Sequence, residues 1–169
     1  KQNSKKFYIL PKNSAVISYN TKIKKVLNFL KKKNADFQFI TASENNAWLL
    51  NIRGEDAKYS PIPLSYILIE KNKKIIVFCD LKKIPTSFKK HFRGIKFIDL
   101  ISTGKILSEI KNKRFVTDKN TCSYYFEKTI LKNNKILDIQ DPIYNFKAIK
   151  NKKEIKNIKD AHIYDGAAL

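Results

Sequence analysis

The chain has 169 residues, with 35 Lys and Arg against 15 Asp and Glu, a formal charge of +20 at neutral pH. That length suits one domain, or one with a small appendage, and lets about 70 % of the unfolded surface be buried without disulfide staples. No apolar run approaches the ~20 residues of a membrane-spanning helix and no signal-peptide pattern opens the chain, so neither a membrane partner nor export is expected. Cys79 and Cys122 lie far apart in apolar surroundings and read as small buried hydrophobes of a reducing, cytoplasmic compartment. Only Arg53, Arg93 and Arg114 among the basic residues are arginine, and the lysines run along the whole length. Specific nucleic-acid binding, which concentrates arginine and stacking aromatics in a patch, is therefore not expected.

Residues 1–20 read as an extended lead-in from an upstream domain. Asn20 or Thr21 can cap a helix in which Ile23, Val26, Leu27 and Leu30 follow the i, i+3, i+4, i+7 rule. Lysines 31–33 suit its C-terminal dipole, and Asn34 can end it. A short strand follows at 37–41, and Ser43 can cap the helical turn that carries Trp48. Residues 64–69 are apolar on both alternating faces apart from Ser65, the pattern of a strand covered on both sides, which runs on to Glu70. The three-residue loop 71–73 forces an antiparallel return into the strand 74–79, because a parallel return needs a dozen residues or more. Asp80 and Thr86 can cap short helical pieces around Pro85. Strands at 95–98, 114–118 and 135–139 then alternate with helices from Thr103 and over 121–131. This order predicts an α/β fold, a mixed sheet of five to six strands with helices on both faces. At Asp141-Pro142 the chain leaves the sheet. Asn151 and Glu154 have capping-box spacing before a last helix striped by Ile155, Ile158 and Ala161. The expected division is a lead-in 1–20, an α/β domain 21–141, and the start of a further domain at 142–169. The lack of any methionine and the apolar end of the chain suit a piece of a longer protein.

The residues most suggestive of function lie at the mouth of the strand 64–70. Asn51, Arg53, Gly54, Asp56 and Tyr59 form a polar turn there, with Trp48 before it and Tyr66 after it. An Arg-Gly turn sets a permanently charged, five-donor fork beside a permissive backbone position, as a reader of carboxylates or peptide ends needs. The plainer expectation is that Arg53 and Asp56 pair and pin the loop. Trp48 is read as a cleft wall or an ordinary core tryptophan, and Tyr66 as a buried ring with its hydroxyl bonded. No catalytic set is apparent. Asp160, His162 and Asp165 cluster on the last helix, but residues two apart point to opposite sides, and a metal site wants three or four ligands. His91 lies among Lys89, Lys90 and Arg93, and no phosphate loop or glycine fingerprint is present. The chain itself is thus expected to hold no metal and no catalytic residue.

The wording of two stretches is more specific than their physics. AWLLNIRGEDAKYSPIPLSYILI (47–69) strongly resembles the second domain of three-domain Xaa-Pro aminopeptidases, of the creatinase or pita-bread group, which carry A-W-L-x-N-[IL]-R-G-x-D, then N/S-P, then S-Y. The matching residues are Ala47, Trp48, Leu49, Asn51, Ile52, Arg53, Gly54, Asp56, Ser60, Pro61, Ser65 and Tyr66. FKAIKNKKEIKNIKDAHIYDGAAL (146–169) is similar to the entry helix of the catalytic domain of the same enzymes, through Lys147, Ala148, Lys150, Asn151, Glu154, Ala161, His162, Asp165, Ala168 and Leu169. The resemblance implies a creatinase N-terminal-like domain. The parent protein would be a homodimer that removes an N-terminal residue preceding proline. Two divalent cations, usually manganese, would be held in a catalytic domain beyond this chain. It also implies that this module shapes the cleft, with its own upstream and catalytic domains as partners. Metal-free pita-bread relatives that bind proteins or peptides are the alternative parent.

Overall fold

A computed structural model of the chain describes residues 5–168. Six strands make one mixed sheet: β2 (Phe37–Ile40), β4 (Ser65–Glu70), β5 (Ile75–Cys79), β6 (Ile95–Asp99), β7 (Arg114–Thr117) and β8 (Lys135–Asp138), in the order β6-β5-β4-β2-β7-β8. β4 runs antiparallel to both neighbours, while β5–β6, β2–β7 and β7–β8 are parallel. The expected hairpin joins β4 to β5, with Lys73 in the left-handed conformation at φ 69°. Strand ends agree with the sequence reading to within about two residues.

Burial on both sheet faces explains the continuous apolar runs. On one face Ile40, Ile67, Ile69, Ile75, Val77 and Val116 meet the helices α1 (Tyr19–Lys32), α2 (Ser43–Leu50), α3 (Thr86–His91) and α6 (Ile143–Ala148). On the other, Phe39, Leu68, Phe78 and Phe115 meet α4 (Thr103–Glu109) and α5 (Tyr124–Leu131). Alternate residues of one strand thus serve two cores, as a doubly covered sheet requires. Both cysteines are buried, and burial pushes the thiols up to about 12 at Cys79 and about 11 at Cys122, which makes them poor nucleophiles.

The structure departs from the sequence reading at several points. The N-terminal stretch takes part in the fold: Phe7 is buried in the first core, and β1 (Tyr8–Ile9) pairs antiparallel with β3 (Ile52–Arg53). Two-residue strands leave no period to detect, so this small sheet is invisible to patterning. Helix α1 starts earlier than expected, because the Ser18 hydroxyl accepts from the Thr21 N–H, displacing Asn20 and Thr21 as caps. Ser43 is no cap; its hydroxyl donates to the Ser65 carbonyl and receives the Ser65 N–H, which fastens α2 to the head of β4. Thr86 opens α3 behind Pro85 without a side-chain cap, whereas Asp80 caps its 3₁₀ turn as expected. The capping box forms: Asn151 and Glu154 exchange side-chain-to-backbone bonds of 2.9 Å at the head of α7 (Lys152–Ala168). That helix carries exposed Ile163 and Tyr164 and has no buried residue among those described.

The Arg-Gly turn and the helix junction

Helix α2 ends where Asn51 turns left-handed at φ 56°, a conformation asparagine tolerates better than most residues. Asn51 then becomes a knot. Its carbonyl accepts from the Leu10 N–H, its amide donates to the Ile17 carbonyl at 2.9 Å, and its Oδ1 accepts from Lys22 Nζ at 2.5 Å. Lys22 is only 3 % exposed and also donates to the Trp48 carbonyl at 2.7 Å. Its ammonium stands 4.0 Å from the Trp48 ring centroid, a cation–π contact in a mostly desolvated setting. Burial pulls the Lys22 pKa down to about 8, with nearby Glu154 of α7 opposing that shift and Arg53 adding to it. Trp48 is accordingly half-buried, neither a sealed core residue nor a bare wall.

Arg53 and Asp56 do not pair. Arg53 Nη1 turns back to the carbonyls of Ile52 (2.8 Å) and Ala47 (3.3 Å), and burial lowers the pKa of the guanidinium. Asp56 turns the other way, forming an ion pair with Lys83 and accepting the Leu64 N–H at 2.7 Å. Gly54 separates them. A Cβ there would stand 2.9 Å from both Phe7 Cδ1 and Pro63 Cα, so close packing rather than an unusual φ requires glycine. The turn therefore has two halves. Its first half faces Lys22. Its second half, with exposed Tyr59, lines an open cavity of about 910 Å³ beside Tyr8, Leu64, Lys83 and Leu100. Tyr66 is half-buried, its ring edge against Phe39 and Phe126, in place of the sealed position expected.

Beside the first half lies a junction that sequence reasoning missed. Asp141, 4 % exposed, accepts from Gln38 Nε2 (2.9 Å), Asn45 Nδ2 (2.7 Å) and the Ile143 N–H (3.1 Å). Its own N–H donates to Asp118 Oδ2 at 3.0 Å. The Asp141 carboxylate thus ties β2, α2 and the start of α6, and its backbone N–H adds the end of β7. Burial raises its pKa, opposed by those donors. Lys147 Nζ donates to Asn45 Oδ1 at 2.6 Å and the Tyr144 hydroxyl to Glu44 Oε1 at 2.8 Å, so α6 is stitched to the first turn of α2. The Asp-Pro pair was legible as the exit from the sheet, but its partners lie about a hundred residues away in sequence. Among the described residues no three His, Cys, Asp or Glu side chains converge on a possible metal position, and His162 and Asp165 lie on the exposed surface of α7. The donor set among the described residues does not fit a dinuclear centre.

A doubly covered mixed sheet, closed by an Asp-Pro junction into a further helix, defines a recognisable class of module. The family profile for the creatinase/prolidase N-terminal domain matches residues 1–154, and the chain belongs to that family. Its relatives include the Xaa-Pro aminopeptidase ApepP of Drosophila melanogaster, 34 % identical over 99 % of this chain and 28 % of that protein. Xaa-Pro aminopeptidase 1 of Dictyostelium discoideum is 33 % identical over 89 % of the chain and 24 % of its own length. In fold the chain matches the crystal structure of X-prolyl aminopeptidase from Caenorhabditis elegans, described as a cytosolic enzyme with a di-nuclear active site. The TM-score is 0.86 at 23 % identity, over 97 % of this chain and 28 % of the other. The Xaa-Pro dipeptidase from Bacillus anthracis shares the fold at a TM-score of 0.61, 17 % identity, 89 % of this chain and 42 % of its own. The chain spans about a quarter of the length of the aminopeptidases it matches.

Proposed function

We propose that this chain is the non-catalytic middle domain of a cytoplasmic, homodimeric Xaa-Pro aminopeptidase. The parent removes an N-terminal residue that precedes proline. Two divalent cations, manganese in this reading, belong to its catalytic domain and supply the hydrolytic chemistry there. Within this chain the side chains position and shape. The observation that carries the reading is the end-to-end similarity to Xaa-Pro aminopeptidases, which runs through both the Arg-Gly turn and the junction helix. The geometry supports a cleft or domain-junction role for Arg53: one nitrogen of its fork is held by Ala47 and Ile52, and its neighbour Lys22 feels Glu154 across the junction. Asn51, Gly54 and Trp48 hold that half of the turn in place, while Asp56 and Tyr66 brace the strand behind it.

The test is Arg53→Ala in the full-length protein, with the specificity constant for an Xaa-Pro peptide and the melting temperature measured side by side. A cleft or junction role predicts a loss of about tenfold or more in kcat/KM, the equivalent of roughly 1.4 kcal/mol, at nearly unchanged stability. Unchanged turnover per folded molecule with a lowered Tm would reduce Arg53 to a brace of its own turn.

A further inference from the structure

At the sheet edge opposite the 910 Å³ cavity, where β7 and β8 begin, lies an open cleft of about 610 Å³. Four cationic residues line it, Lys113, Arg114, Lys132 and Lys135, together with Asn112 and Asn133. No carboxylate lines it, and among the described residues none of the four is in an ion pair. The nearby carboxylate of Asp36 is already held by Lys71 and by the Arg114 N–H. Such a gathering in a chain of excess positive charge costs repulsion that a bound anion would relieve.

The floor is built. The Asn112 N–H donates to the Asn133 carbonyl (2.8 Å) and the Lys135 N–H to the Lys113 carbonyl (2.9 Å), zipping the two loops together. Buried Asn134 locks them: its Oδ1 accepts the Lys113 N–H, and its amide donates to the carbonyls of Ile110 and Ile130. Those carbonyls belong to the C-terminal ends of α4 and α5, each worth about half a negative charge, so two ends fall well short of four cations. A second furrow lined by Arg114, Lys135 and Ile136 extends the cleft along the edge strand β8.

We infer that this cleft binds a compact oligophosphate, an anion of the pyrophosphate or tripolyphosphate type. A single phosphate carries too little charge for four cations, while linked phosphates present several oxygens to ammonium, guanidinium and amide donors at once. The lining holds no aromatic ring on which a base could stack, which argues against a nucleotide or a single-stranded nucleic acid.

The experiment is calorimetric titration of inorganic tripolyphosphate into the 169-residue chain at an ionic strength of about 0.15 M. Micromolar binding to one site is expected, weakened at least tenfold by the pair Lys132→Glu and Lys135→Glu. The charge-matched pair Lys152→Glu and Lys156→Glu on α7 should change it less than twofold. All four positions are exposed, so neither pair opens the core. Amide shifts of the unmodified chain give a second reading, expected at residues 112–114 and 131–135. Equal weakening by both pairs, shifts spread over every lysine-bearing surface, or a Kd above about 1 mM would overturn the site. Tighter, cleft-dependent binding of a DNA duplex in place of tripolyphosphate would also overturn it.

Discussion

Lys22 shows how one side chain can be set by neighbours that its own position in the sequence does not announce. It lies at the border of the apolar stripe of α1, one turn before Val26, and it is buried beneath Trp48 with its donors on Trp48 and Asn51. Trp48 is the sole tryptophan, so its emission reads the charge above its ring directly. Emission is expected to titrate with a midpoint near pH 8 and to lose that step in Lys22→Met; a step that survives the substitution would assign the titration to another group. The sign for stability follows from the same shift. The folded pKa of about 8 lies below the ordinary 10.5, so between those values the unfolded chain binds more protons. Lys22 therefore contributes a rise in stability as pH climbs from about 8 towards 10.5, absent in the methionine variant. The Arg53–Asp56 pair expected from the sequence is missing for a related reason. Lys83, distant in sequence, reaches Asp56 from the far side of Gly54, and the carbonyls at the end of α2 occupy Arg53.

Elements meet at Asp141. Four of them, β2, α2, β7 and α6, converge on a single buried carboxylate and its backbone N–H. Asp141→Ala strands the donors of Gln38, Asn45 and Ile143, and leaving buried donors unpaired costs about 1–3 kcal/mol each where no water replaces the partner. A loss of about 2 kcal/mol or more is expected in denaturant unfolding, with faster hydrogen exchange at α6 than in the central strands. An intact exchange pattern would show that the α2–α6 contacts hold without it. The caps at Ser18 and Asn151 act at the same scale. Ser18 was overlooked because three polar candidates stand within four positions, whereas the Asn151–Glu154 spacing singled out its box unaided.

At the scale of the whole molecule, the charge is +20, and among the described residues no three His, Cys, Asp or Glu side chains gather at a possible metal position. The isolated chain supplied with manganese is expected to leave an Xaa-Pro dipeptide uncut; cleavage that co-elutes with it on size exclusion would place the chemistry here after all. The two cavities divide the molecule along the strand axis. The carboxyl edge of the parallel strands carries the cleft of Tyr8, Tyr59 and Leu100, and the amino edge carries the basic one.

The sequence by itself determined the doubly covered mixed sheet, the β4–β5 hairpin and the family, because side-chain period, loop length and a string of matching residues are properties of neighbours along the chain. It could not decide who pairs with Asp56, what sits on Trp48, or that Asp141 clasps the junction. Those partners are separated by tens to a hundred residues, and folding alone brings their donors and acceptors to within 3 Å of one another.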